Sequence, residues 1–257
     1  MPHTASAIQE AIAADPSLAQ HIADVRVSAR RKTLGMSMKP GDPGITVHVP
    51  AGVQPDDVVT LLSRSRDRIG AMLVKAREVA PDHPVKHYIG GESYAWLGRT
   101  YRLRLVDDAP EPVQLVHTGQ WWMHLTRDAA RQGVRPFIDW YSREGTRWLY
   151  PEAARWWPLM VSGRPAPTIR AADIGRRRWG VYDGATHEVR IAWQTLQLPP
   201  RLIRHVLVHE LVHATRPAGK PHGPEFWRAF SRTMPGARQD QRDLTEAGRS
   251  IWMGDVA

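Results

Sequence analysis

Residues 199–227, PPRLIRHVLVHELVHATRPAGKPHGPEFW, constrain this chain more than any other stretch. Pro199 and Pro200 stop the preceding segment and suit the first turn of a helix. Leu202, Ile203, Val206, Leu207, Leu211 and Val212 then supply its apolar faces. Within eighteen positions of this apolar pattern fall four of the twelve histidines: His205, His209, His213 and His222. Histidine is an odd choice for a core, so the stretch is either a buried helix with incidental polar residues or a metal site.

Spacing favours the metal site. His209 and His213 are four apart, so on a helix they project from one face, one turn above the other. Neutral imidazoles so placed can both reach one zinc at roughly 2.0–2.1 Å. Glu210 completes an HExxH pattern, where it can hydrogen-bond a water and take its proton rather than bind the metal. Chance alone would place HExxH in roughly 2% of chains of this composition, so the surrounding residues must support it. Arg216-Pro217-Ala218-Gly219 should break the helix and let the chain double back. His222 follows nine residues after His213, within reach of a returning loop, and Pro224 suits the first turn of a new helix. Catalytic zinc commonly has three protein ligands and one open position. His222 is the expected third ligand, with Glu225 as competitor, although an acidic residue in a first helical turn is also favoured by the dipole. His205 lies one turn further back and suits a supporting or core position. One Zn2+ per chain is the expected cofactor.

Cysteine is absent, which excludes disulfides, thiol nucleophiles and Cys-type zinc ribbons and leaves any metal to His or carboxylate. No run approaches the roughly 18–20 apolar residues of a membrane span. The start, MPHTASAIQEAIAADP, lacks the basic and apolar regions of a signal peptide, so a cytoplasmic protein without a membrane partner is expected. The net charge of +9 is uneven: residues 1–128 hold 15 Lys/Arg against 14 Asp/Glu, and residues 129–257 hold 20 against 12. A basic C-terminal half can attract nucleic acid, and it can equally serve solubility.

Residues 5–14 read as an amphipathic helix. DVRVSARRKTLGMSMK and GITVHVP read as strands around the turn-forming PGDPG at 40–44, with Ile45, Val47 and Val49 on one face. QPDDVVTLLSRSRDRIGAMLVKAREVA has helical spacing with an acidic first turn. IGGESYAWLGRTYRLRLV predicts a hairpin turning near Gly98, and VQLVHTGQWWMHLT a second at Thr118-Gly119. Residues 126–156 are more helical, with Trp and Tyr expected in a core. VSGRPAPT resembles a linker, and RRRWGVYDGATHEVRIAW predicts a third hairpin turning at Asp183-Gly184.

Taken together, RWG at 178–180, EVRIAWQTLQLPPRLIRHVLVHELVHA and HGPEFW resemble, in order, the C-terminal block of the YgjP-like metallopeptidases, relatives of the SprT-like proteases. RVSARRKTLGMSMK, GITVHVPAGV and YAWLGRTYRLRLV resemble that family's N-terminal strands, so the likeness covers about residues 25–235. It implies His209, His213 and His222 as zinc ligands and Glu210 as general base. Two features depart from the family: Val181-Tyr182 stands where Ser-Cys is usual, and the His213–His222 spacing is longer. HGPEF itself is closer to SprT-like proteases, some of which act on DNA-crosslinked proteins. Arg178 either contacts a substrate carbonyl or covers a core Trp179, and the strand EVRIAW could pair with an extended peptide if it lies at a sheet edge.

The resulting expectation is an α+β fold: an N-terminal sheet-rich part followed by a zincin-like C-terminal part with the HExxH helix. Its organisation is a helical extension over 1–24, a strand/helix part over 25–160 and a metallopeptidase part over 161–257. The expected activity is hydrolysis of a polypeptide by Glu-activated water on zinc. The rival is a nucleic-acid-associated SprT-like protease, or a module with a structural zinc, for which an intact Glu210 has no use. Hydrolysis of a non-peptide amide is a third reading that the motif permits.

Overall fold

Ile45, Val47 and Val49 are fully buried, and Thr46 and His48 between them are not, which is the alternation of a strand with one covered face. The computed structural model describes residues 5–38, 42–78 and 82–257 of the chain. These form two compact units, 1–81 and 82–257.

In the first unit, helices α1 (Ala5–Ala13) and α2 (Pro16–Ala19) precede strands β1 (Ile22–Ser28), β2 (Gly35–Ser37) and β3 (Ile45–Pro50). The sheet order is β1-β3-β2, with β1 parallel and β2 antiparallel to β3. Of the turn expected at 40–44, residues 40 and 41 lie outside the described residues. Helices α3 (Pro55–Arg64) and α4 (Arg66–Glu78) follow. The sequence predicts one helix there, but Ser65 leaves helical geometry and its hydroxyl donates back to the Leu61 carbonyl at 2.9 Å. Such back-bonding competes with the backbone ladder and bends helices. Ile8 and Ile12 of α1, Val58 and Leu62 of α3 and the buried face of β3 share one core.

The second unit begins with a four-stranded sheet, β4 (Ser93–Trp96), β5 (Arg99–Val106), β6 (Val113–Thr118) and β7 (Gln120–Thr126), in the order β4-β5-β7-β6. Both expected hairpins are present. Leu97 and Gly98 both have positive φ, 50° and 75°, as a two-residue turn between right-twisted strands requires. Added bulk at Gly98 would also lie 2.7 Å from the Pro199 Cα. Helices α5 (Arg127–Ala130) and α6 (Arg135–Trp156) follow. Trp140 and Tyr141 are buried as expected, but Tyr150 is 72% exposed because it lies on the opposite, solvent face of α6.

A second sheet contains β8 (Thr168–Ala172), β9 (Gly180–Asp183) and β10 (Glu188–Ala192) in the order β8-β10-β9. The turn between β9 and β10 is closed by Asp183, whose carboxylate accepts from the Ala185 and Thr186 amides. EVRIAW therefore forms the central strand, paired on both sides, and cannot receive a peptide at its edge. The 3-10 helix Trp193–Gln197 leads into α7 (Pro200–Thr215), then α8 (Pro224–Thr233) and α9 (Ala237–Ala247).

The compact units do not follow the boundaries drawn from the sequence at 24/25 and 160/161. Residues 5–19 share a core with β1 and β3. Leu103, Met123 and Phe137 share another with Val189, Ile191 and Leu207. The Leu97 amide also donates to the Leu196 carbonyl at 2.8 Å, tying the first hairpin to the approach to α7.

Candidate metal centre

Helix α7 starts and stops where the sequence predicts. Pro199 caps it, and Arg216 ends it in a left-handed conformation, φ 54°, with its amide donating to the His213 carbonyl. Leu202, Ile203, Val206, Leu207, Leu211 and Val212 are all buried. That burial turns the remaining face, with His209 and His213, to an open cleft of about 550 Å³. The chain then doubles back through residues 216–223, and His222 adopts a left-handed backbone, φ 58°, just before α8.

Three ring nitrogens converge here. Nε2 of His209 lies 3.2 Å from that of His213, and the Nε2 of His222 lies 3.0 Å from each. Each imidazole nitrogen is either a donor or an acceptor, so protons alone cannot satisfy three mutually facing nitrogens. One cation shared by three lone pairs satisfies all of them, and the all-histidine donor set suits zinc. Burial, and then the neighbouring imidazoles, push His209 down to about 3; burial and His222 push His213 down to about 4. Both rings are therefore neutral at neutral pH, the form that binds metal.

Phe226, on the first turn of α8, underlies the triad. Its ring is 1% exposed and its centroid lies 4.9 Å from His209, 4.6 Å from His213 and 4.9 Å from His222. Phe230, one turn on, packs against His205 and His209 at 5.0 and 5.5 Å. Sequence reasoning left this pair unassigned; the only signal was the HGPEFW block.

Glu210 lines the same cleft and is only 7% exposed. Burial pushes its carboxyl up to about 7, against the opposing pull of the Tyr182 backbone amide and of the nearby Arg178 charge. Gly180 makes room for it: a Cβ there would stand 2.8 Å from the Glu210 Cγ. Two features of the RWGVY segment thus acquire reasons, the glycine for clearance and residue 182 for its amide. The Tyr182 hydroxyl meets His187 Nδ1 at 3.0 Å. Arg178 is exposed on the cleft wall, and Trp179 packs against the core.

The competing ligands point elsewhere. Glu225 receives two hydrogen bonds from Arg228 at 2.6 and 2.7 Å. His205 is 1% exposed and its Nε2 faces Gln241 Oε1 at 3.3 Å. Among the described residues, His209, His213 and His222 are the group of side chains arranged to hold a metal. Of the basic run at 176–178, Arg176 is held by Asp255 through hydrogen bonds of 2.7 and 3.0 Å.

The YgjP-like metallopeptidase domain matches residues 32–247. Among solved structures, the metallopeptidase zymogen abylysin of Pyrococcus abyssi is similar at 17% identity and a TM-score of 0.33, over 39% of this chain and 97% of that one. No curated protein sequence matches. No helix among the described residues is long and apolar enough to cross a membrane.

Proposed function

The chain belongs to the YgjP-like metallopeptidase family, and on that premise we propose that it is a zinc-dependent peptidase with Glu210 as its general base. The observation behind this reading is the convergence of three Nε2 atoms beside a buried carboxylate in one open cleft. His209, His213 and His222 would hold the metal. Zinc bound there supplies a Lewis acid that polarises a carbonyl and acidifies water. Glu210 takes a proton from the attacking water and delivers it to the departing amine. The Tyr182 amide favours the ionised carboxylate needed for that transfer, and Phe226 keeps the three imidazoles in register. A buried, oriented carboxylate has no part in a purely structural zinc site, which favours catalysis over that alternative.

The substrate is a polypeptide lying extended along β9. This is an outer strand of its sheet, and Gly180, Val181 and Tyr182 line the cleft. It offers the open edge that EVRIAW, paired on both sides, does not have.

Glu210→Gln tests the reading, since it preserves shape and removes the base. The variant should retain about one zinc per chain while hydrolysis of an unfolded protein falls at least a hundredfold. Equal turnover by the zinc-loaded variant would refute the mechanism.

A further inference from the structure

A second groove leads away from the metal centre, and its charge is one-sided. His222 lines both the cleft and this groove, which continues along Pro224, Trp227, Arg228, Arg232 and Arg238. No carboxylate lines it. Arg228 is neutralised in part by Glu225. The Arg238 guanidinium lies over the Trp227 ring, 4.9 Å from its centroid, where cation–π contact orients it without cancelling its charge. Arg232 is exposed and has no acidic partner among the described residues. The groove is thus a positively charged channel that opens at a metal ligand.

From this we infer that the peptidase selects polypeptides carrying acidic side chains on one side of the cleaved bond, and that Arg232 and Arg238 hold their carboxylates. The inference rests on the peptidase reading and adds the substrate class to it. A polypeptide is the favoured occupant because the groove is continuous with the metal centre through His222. A chain crossing that centre must continue somewhere, and its charge should complement the walls it meets.

The test is a set of quenched-fluorescent peptides that are identical except for Glu, Gln or Lys at two alternate positions, moved stepwise along the peptide. At low salt the best Glu peptide should exceed its Gln counterpart in kcat/KM by about tenfold, the effect of two exposed ion pairs. In Arg232→Glu/Arg238→Glu that ratio should fall below one, with the Lys peptide now preferred. About 0.5 M salt should erase the wild-type preference by screening. A Glu/Gln ratio near one in the wild type, or a ratio the double reversal does not change, overturns the inference. Binding of a labelled Glu peptide to zinc-loaded Glu210→Gln protein, read by anisotropy, separates this inference from the peptidase reading. Its loss on reversing the two arginines supports the groove even if no peptide is ever cleaved. A labelled oligonucleotide that binds more tightly than the Glu peptide, and is lost on the same reversals, makes the groove a nucleic-acid surface and overturns it as well.

Discussion

Phe226 touches all three imidazoles of the triad, so it sets their mutual geometry without offering a ligand atom. Phe226→Ala removes a fully buried ring and should cost about 3–5 kcal/mol in urea unfolding of the metal-free protein. It should also weaken zinc binding, measured by competition with a chromogenic chelator, whereas Phe226→Leu preserves most of both. Wild-type zinc affinity in Phe226→Ala would show that the ring only fills space. The ligand set itself is tested by single substitutions. His222→Ala should lower zinc affinity by at least a hundredfold, because two ligands hold zinc poorly. Glu225→Gln and His205→Ala should leave it within about tenfold, since one is turned to Arg228 and the other to Gln241. Metal loss in Glu225→Gln with retention in His222→Ala would reverse the choice. The convergence of His209 and His213 beside Glu210 was legible in sequence because helical periodicity fixes the face of i and i+4. The return of His222 to them was legible because Pro217 and Gly219 announce the chain reversal. Phe226 and Gly180 were not, because each acts through contacts between elements that no local pattern encodes.

At the scale of elements, helix α7 is held in place by charged as well as apolar contacts. Arg204 donates to Glu152 of α6 at 2.7 and 2.9 Å, and the carboxylate is only 13% exposed. Hydrogen bonding from Arg204 holds the Glu152 carboxyl below its usual range. A carboxyl whose pKa is lower in the folded than in the unfolded protein stabilises fully above its unfolded value. That stabilisation is lost as pH falls through the folded one. Glu152→Gln should therefore cost about 1.5 kcal/mol at neutral pH, and the difference from wild type should shrink as pH falls below about 4.5, where the unfolded chain and then the folded Glu152 take up a proton. Urea unfolding at pH 7 and at pH 3.5 checks this, and an equal difference at both values would mean the pair contributes through packing alone. Most elements were readable in advance. The hairpins turning at Gly98, Gly119 and Asp183 formed because their turn residues suit only those conformations. The helix over 54–80 divided because a single serine hydroxyl competes with the backbone ladder, a contest that apolar periodicity does not register. The central place of β10 was hidden for a related reason: strand order depends on which partners fold back, and EVRIAW reads the same at an edge or in the middle.

Among the described residues, one core cluster lies in 1–81 and two lie in 82–257, a division that the composition did not reveal. VSGRPAPT has the look of a linker, yet the Trp157 indole donates to the Arg164 carbonyl at 2.8 Å, and residues on both sides of this stretch share a core. Boundaries depend on which surfaces bury each other, and linker-like composition reports only local chain preference. Residues 1–81 bury Val47 and Leu62 completely in a core of their own. The three converging Nε2 atoms, the Phe226 ring beneath them and Glu210 all belong to 82–257. The proposed metal centre should therefore tolerate damage to the first core. Val47→Ala/Leu62→Ala in the full chain removes buried methyl groups that are worth about 2–5 kcal/mol for the leucine alone, with a further loss from the valine. Urea unfolding followed by circular dichroism should show an early transition, while zinc affinity at zero urea stays within about threefold of wild type. Leu207→Ala, in the core beneath the histidine helix, supplies the contrast: it should cost a similar amount and lower zinc affinity with it. If the first pair of substitutions released zinc as readily as the second, the metal centre would depend on residues 1–81, and the two units would have to be treated as one folding unit.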